Sequence, residues 1–274
     1  MGLSVNTNVA ALNAYRNLSN TQNSMNKSLE KLSSGFRINR AADDAAGLAI
    51  SEGLRSQIGG LKVATRNAQD GISVVQTAEG ALTETHSILQ RMRDLAVQAS
   101  NDGALSDTDK GKADAEFQQL TKELDDIATK TTFNGTALLN GSFSNKTFQV
   151  GSNAGETLTV SISDMSSTGL TVSGLAIGTL TGAQDALAKV NTAIGSVSTQ
   201  RANLGATQNR LEHKINNLNA TVENLTASES RIRDTDMAEE MTNYSRANIL
   251  QQAGTAMLSH ANSSSQGVLQ LLNG

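Results

Sequence analysis

The chain has 274 residues, carries 22 Lys and Arg against 26 Asp and Glu, and contains no Cys, Pro or Trp. Its net charge of −4 argues against a general nucleic-acid binder, and the lack of Cys excludes disulfides and thiolate metal sites. Aromatics make up only 3% of the residues, so the core must be built from Leu, Ile, Val, Met and Ala, which suits packing between helices.

The absence of Pro, against an average usage of about 5%, points to long uninterrupted helices. The first eight residues lack a basic run followed by an apolar one, so no Sec-type signal peptide is expected there. No stretch approaches the roughly 18 consecutive apolar residues that a membrane-spanning helix needs, so no membrane partner is expected.

In chain order, the first segment places Val5, Val9, Leu12, Tyr15, Leu18, Met25, Leu29, Leu32 and Phe36 on one helical face. Residues 1–40 carry Arg16, Lys27, Lys31, Arg37 and Arg40 against Glu30, a local net charge of +4. Asp43 and Asp44 stand where the N-cap of a second helix belongs. That reading outweighs a metal or acid–base pair, because caps are the commonest use of Asp beside an apolar-periodic run.

The second helix has seam positions spaced three and four apart at Leu54, Ile58, Leu61, Thr65, Ala68, Ile72, Val75, Glu79, Leu82, His86, Leu89, Arg93 and Ala96, nine of the 13 being apolar. Ile88, Met92 and Leu95 add a second stripe, which predicts contact with more than one neighbour. His86 reads as a packed or rim residue of that face. Gly59, Gly60, Gly71 and Gly80 each cost about 1 kcal/mol of helix stability relative to Ala, and close backbone packing would explain their presence. Asn101, Asp102 and Gly103 end the segment.

A third helix is expected over 107–129, with Ala113, Phe117, Leu120, Leu124 and Ile127 as its stripe. From 131 to 182 the chain turns rich in Thr, Ser, Gly and Asn. Phe148 and Val150 alternate, as do Leu158, Val160 and Ile162, with a Gly-rich stretch between them, which predicts a β-hairpin. Residues 165–182 receive no assignment.

The longest pattern follows at Leu187, Val190, Ile194, Val197, Arg201, Leu204, Gln208, Leu211, Ile215, Leu218, Val222, Leu225, Glu229 and Ile232, eleven of 14 positions being apolar. A period of 3.5 residues kept this long requires a narrow coiled-coil seam with another long helix beside it. The Arg231, Arg233, Asp234 and Asp236 cluster reads as a salt-bridged hinge in preference to an anion site. The last segment repeats Met237, Met241, Tyr244, Leu250, Met257 and Leu258, carries a net charge of −2 over 235–274, and has no Asp, Glu, Lys or Arg after Arg246. Opposite charges on two amphipathic ends favour pairing between them, and both ends are expected to order only when other copies of the chain surround them.

Catalytic chemistry finds no support. The three His residues, His86, His213 and His260, form no H-E-x-x-H motif, and neither a phosphate loop nor a G-x-S-x-G elbow occurs. No cofactor is expected.

Several runs resemble bacterial flagellin: LSSGFRIN at 32–39, DDAAGLAI at 43–50, NAQDGI at 67–72, QTAEGAL at 76–82, QRMRDLAVQ at 90–98, FNG at 133–135, QNRL at 208–211, ESRIRD at 229–234 and VLQLL at 268–272. The resemblance covers residues 1–140 and 184–274. It implies a mainly α fold, a long antiparallel coiled-coil bundle with a small β-hairpin region. It also implies four segments: an N-terminal helix of the inner layer called D0 (1–42), N-terminal helices and hairpin of the surrounding layer D1 (43–182), the C-terminal D1 helix (183–234) and the C-terminal D0 helix (235–274). Large outer domains are not expected.

The implied function is a structural, non-enzymatic subunit that self-assembles into the flagellar filament, leaves the cell unfolded through the flagellar type III apparatus and polymerises at the distal tip. Val5, Val9, Leu12, Leu18, Met25, Leu29, Leu32, Met257, Leu258, Val268, Leu269, Leu271 and Leu272 would then pack the filament core. Leu54, Ile58, Leu61, Ile72, Val75, Leu82, Leu89, Leu204, Leu211, Ile215, Leu218, Val222 and Leu225 would form the D1 coiled-coil core. Implied partners are other subunits, an export chaperone at the C-terminal segment, and the filament cap and hook–filament junction proteins. The family's contact with a vertebrate Toll-like receptor maps onto Arg91, Leu95 and Glu116, where Met92 and Asp94 replace the commoner Val and Glu. A junction or adaptor protein is the competing reading, disfavoured by the matches through 67–98 and 208–234.

Overall fold

The computed structural model describes residues 7–103 and 105–272, with side chains described as far as residue 264. Among the described residues there are five helices: α1 (Val9–Ser34), α2 (Ala45–Ala99), α3 (Asp107–Lys130), α4 (Leu180–Arg233) and α5 (Met237–Leu272). Between α3 and α4 lie two small hairpins, β1 (Thr132–Phe133) with β2 (Thr136–Ala137) and β3 (Lys146–Gln149) with β4 (Thr157–Val160), both antiparallel. The fold class is the one expected from the sequence. Two compact units result, residues 1–56 with 224–274 and residues 57–223.

The caps are local chemistry. The Asn8 side chain accepts from the Ala11 amide, and Asp44 Oδ1 accepts from the Gly47 amide at 2.8 Å at the start of α2. Ser106 and Asp236 cap α3 and α5 in the same way. Helix α1 stops at Gly35, whose φ of 75° is left-handed backbone.

The 57–223 unit holds the apolar core. Val75, Leu82, Leu89, Met92 and Leu95 of α2 meet Phe117 and Leu124 of α3 and Val190, Val197 and Leu204 of α4. Of the expected seam, Val75, Leu82, Leu89, Leu204, Leu211 and Leu218 are buried, as are Ile58 and Leu61 near one end. Leu54, Ile72, Ile215, Val222 and Leu225 are half-buried. Two seam positions without apolar residues answer each other, since Arg201 of α4 lies 3.7 Å from Glu79 of α2. His86 is half-buried, with Nε2 2.9 Å from the Gln90 amide nitrogen and Nδ1 buried without a partner.

Of Gly59, Gly60, Gly71 and Gly80, only two permit a close approach. A Cβ on Gly71 would meet Leu211 Cδ1 at 3.3 Å, and one on Gly60 would meet Ser152 at 3.1 Å. Gly59 and Gly80 face open space, so close packing does not account for them.

The β3–β4 hairpin pairs Phe148 with Leu158, matching the expected alternation. The β1–β2 hairpin turns on Asn134 and Gly135, with φ of 48° and 77°, the two left-handed residues that a tight Asn-Gly turn requires. Residues 163–178, unassigned from sequence, form an irregular strap over the core, with Met165, Leu170, Val172, Leu175 and Ile177 buried. Three polar side chains of α3 hold it. Asp125 accepts from the Ser167 amide and hydroxyl at 2.8 and 2.9 Å, Asp114 accepts from the Ile177 amide at 2.6 Å, and Gln118 donates to the Leu175 carbonyl at 2.6 Å.

Candidate self-assembly surface

Helices α1 and α5 run antiparallel. Asn8 donates to the Ala261 carbonyl at 2.9 Å, Gln251 donates to Gln22 at 2.6 Å, and Lys31 lies 3.5 Å from Glu240. The seam follows spacings of three and four on both sides: Ala11, Ala14, Leu18, Thr21, Met25, Ser28 and Leu32 against Glu240, Tyr244, Ala247, Gln251, Gly254, Leu258 and Ala261, all buried or half-buried. Gly254 sits closely against α1 there, since a Cβ at that position would meet Leu18 Cδ1 at 3.2 Å.

Most seam residues are small or polar, and many of the large apolar side chains point elsewhere. Val9 is 60% exposed, Ile249 66% and Met257 64%. Leu12, Tyr15, Leu29, Met237, Met241 and Leu250 are also exposed. The predicted filament-core residues therefore divide. Leu18, Met25, Leu32 and Leu258 enter the intramolecular seam, whereas Val9, Leu12, Leu29 and Met257 face outward. Val5 and the side chains of Val268, Leu269, Leu271 and Leu272 lie outside the described residues.

Both helices are paired along this seam within one chain. Exposed apolar residues on several sides of a helix pair nevertheless mark a surface meant for more than one neighbour.

The turns that lead into this pair are locked together. The Arg37 amide donates to the Arg233 carbonyl at 2.7 Å, the Thr235 amide donates to Gly35 at 3.0 Å, and Arg37 Nη2 donates to the Ile232 carbonyl at 2.5 Å. Arg233 pairs with Glu52 at 2.6 Å and stacks 4.9 Å above the Phe36 ring. The Arg233 guanidinium holds Glu52 below the ordinary glutamate range, helped by the charge of Arg55. The Arg40 amide, with that of Asn39, likewise lowers Asp43. Of the four residues expected at a salt-bridged hinge, Arg233 alone forms an ion pair among the described residues, while Arg231 donates to Ser228, Asp234 accepts from Ser230 and Asp236 caps α5. The carboxylate that pairs with Arg233, Glu52, was absent from the sequence reading because it is 181 residues from Arg233.

The residues that the resemblance maps to a receptor contact separate by face. Arg91 and Glu116 are exposed and joined at 2.7 Å. Leu95 is 2% exposed and belongs to the core between α2, α3 and α4. Among the described residues no group of three or more His, Asp or Glu could hold a metal ion, and no helix is long and apolar enough to cross a membrane.

Residues 5–144 match the family model for the bacterial flagellin N-terminal helical region, and residues 187–272 match that for the C-terminal helical region. The chain is 49% identical over 301 aligned residues to a flagellin of Bacillus subtilis (strain 168), covering 98% of this chain and 99% of that one. It is 51% identical over 270 residues to a flagellin of Halalkalibacterium halodurans, with the same coverage. The crystal structure of Bacillus cereus flagellin superposes with a TM-score of 0.51 at 36% identity, covering 56% of this chain and 88% of that one. A helical fold with two matching terminal regions, an outward apolar surface and full-length kinship places the chain in the bacterial flagellin family, as a structural subunit of the flagellar filament and not an enzyme.

Proposed function

We propose that the α1–α5 pair is the inner, copy-to-copy layer of the filament, the D0 layer, and that the helices and hairpins of 43–234 form the surrounding D1 layer. The observation that carries this reading is the sorting of side chains. Most seam positions within the chain are small or polar, with Leu18, Met25, Leu32 and Leu258 among them, while Val9, Leu12, Ile249, Leu250 and Met257 face outward. Outward burial of such side chains contributes about 1.5–3 kcal/mol each once a neighbour covers them.

The chain leaves the cell unfolded through the flagellar type III apparatus and is added at the distal tip beneath the cap protein. An export chaperone holds the uncharged C-terminal segment before export, and junction proteins meet the terminal surfaces at the filament base. Purified full-length chain added to short filament seeds should give long filaments by negative-stain electron microscopy. The same chain lacking 1–40 and 235–274 should give none. Stable monomers or small rings from the full chain would point to a junction or adaptor protein instead.

The exposed Arg91–Glu116 pair favours a second, incidental role in recognition by a vertebrate Toll-like receptor. In that role Leu95 acts from the core, by holding the α2 face that presents Arg91. Arg91→Ala and Glu116→Ala should each weaken receptor signalling by monomer. Unchanged signalling would remove this role.

A further inference from the structure

Helices α1 and α5 carry seven Lys, Arg and Glu residues: Arg16, Lys27, Glu30, Lys31, Glu239, Glu240 and Arg246. Two ion pairs account for three of them, Lys31 with Glu240 and Glu30 with Arg40. Among the described residues, Arg16, Lys27, Glu239 and Arg246 have side chains with no hydrogen bond or ion pair. The charge of Lys27 does reach Asp43.

Lys27 and Arg246 line one groove of about 470 Å³ between the two helices, together with Asn20, Ser24, Lys31 and Glu240. Glu240 already pairs with Lys31, so neither Lys27 nor Arg246 has an ion-pair partner within the groove. Glu239 is the single acid of the pair left without a partner, and it is exposed.

Position along α5 ties these groups to the assembly surface. Glu239, Arg246, Leu250 and Met257 are separated by seven, eleven and eighteen residues from Glu239, which puts all four on one helical face. Leu250 and Met257 are 51% and 64% exposed. A neighbour that buries them also strips water from Glu239 and Arg246, and a charge buried without a partner is strongly unfavourable. Within one chain Glu239 lies about 10.5 Å along the axis from Arg246, too far to pair.

We propose that the groove holding Lys27 and Arg246 receives Glu239 of a second copy of this chain. The inference rests on the self-assembly reading and names the contact that sets its register. A neighbour whose Glu239 comes to the height of Arg246 and Lys27 sets that carboxylate against both cations while the exposed apolar residues close around them.

The test uses full-length chains and seeds of the unaltered protein. Glu239→Lys alone, and Lys27→Glu with Arg246→Glu in another chain, each bring like charges together in every contact between identical copies, and each should slow elongation by about tenfold or more. An equimolar mixture restores opposite charges between unlike copies and should recover most of the rate, with both variants in one filament by mass spectrometry. Because neither variant is repaired within its own chain, recovery also excludes a folding defect. Normal elongation by either variant alone, or no recovery in the mixture, overturns the contact while leaving the filament reading intact. Failure of the unaltered chain to elongate seeds overturns both.

Discussion

The Arg233 guanidinium sits 2.6 Å from the Glu52 carboxylate and 4.9 Å above the Phe36 ring, so one side chain ties the last turn of α4 to α2 and to the segment that follows α1. Its own carbonyl accepts from the Arg37 amide, and the neighbouring Thr235 amide bonds to Gly35. Side-chain and backbone contacts thus close the same joint from two directions.

Arg233→Ala should open that joint. The Glu52 carboxyl, now lowered chiefly by Arg233, should titrate higher, closer to the ordinary glutamate range, with Arg55 still holding it down in part. The sign follows from the lowered value. The contribution of the pair is present above the ordinary glutamate value and is lost as pH falls through the lowered one. Carboxyl chemical shifts in an NMR titration measure the change, and faster exchange of the Arg37 and Thr235 amides would accompany it. A Glu52 titration unmoved by the substitution would assign the lowering to Arg55 instead.

Glycines of α2 should respond oppositely to alanine. A Cβ on Gly47 would strike the Asp44 carboxylate and come within 2.8 Å of Ile38 Cδ1. Gly47→Ala should therefore disturb the cap and cost about 1–2 kcal/mol. Gly59→Ala and Gly80→Ala meet nothing within 4 Å and should stabilise the helix by up to about 1 kcal/mol each. Thermal melts followed by circular dichroism check both directions.

The strap should loosen without Asp125. Asp125→Ala leaves the Ser167 amide and hydroxyl without their acceptor, at a cost of about 1–3 kcal/mol. Hydrogen exchange should speed up at Ser167 and Val172 while amides at the centre of α2 stay protected. Uniform loss of protection would mean that the strap is integral to the core and not a cover over it.

Core and assembly residues should separate in two assays. Leu82→Ala or Leu89→Ala, both fully buried, should lower monomer stability by about 2–5 kcal/mol. Leu12→Ala and Met257→Ala, both exposed, should leave the monomer melt nearly unchanged and slow seeded elongation. Equal elongation by all four, normalised to folded monomer, would remove the outward residues from the assembly surface.

The sequence by itself determined the helices, their seams and most of their ends, because a period of 3.5 residues and a capping side chain act within a few turns of one segment. Leu82, Leu204 and Leu211 could be assigned to a seam, and Asp44 to a cap, without knowing any neighbour. Periodicity, however, describes a face only relative to its own helix axis. Tertiary structure alone decided that Arg201 answers Glu79, that Glu52 completes the Arg233 joint, and that Leu95 turns inward while Arg91 beside it stays out. It also decided that α1 divides its apolar residues between a narrow seam and an outer face. Residues 163–178 carried no periodic signal, since the strap is held by Asp114, Gln118 and Asp125 from a helix about 50 residues earlier. Contacts between groups so distant in the chain depend on how the helices pack, and no local pattern encodes that.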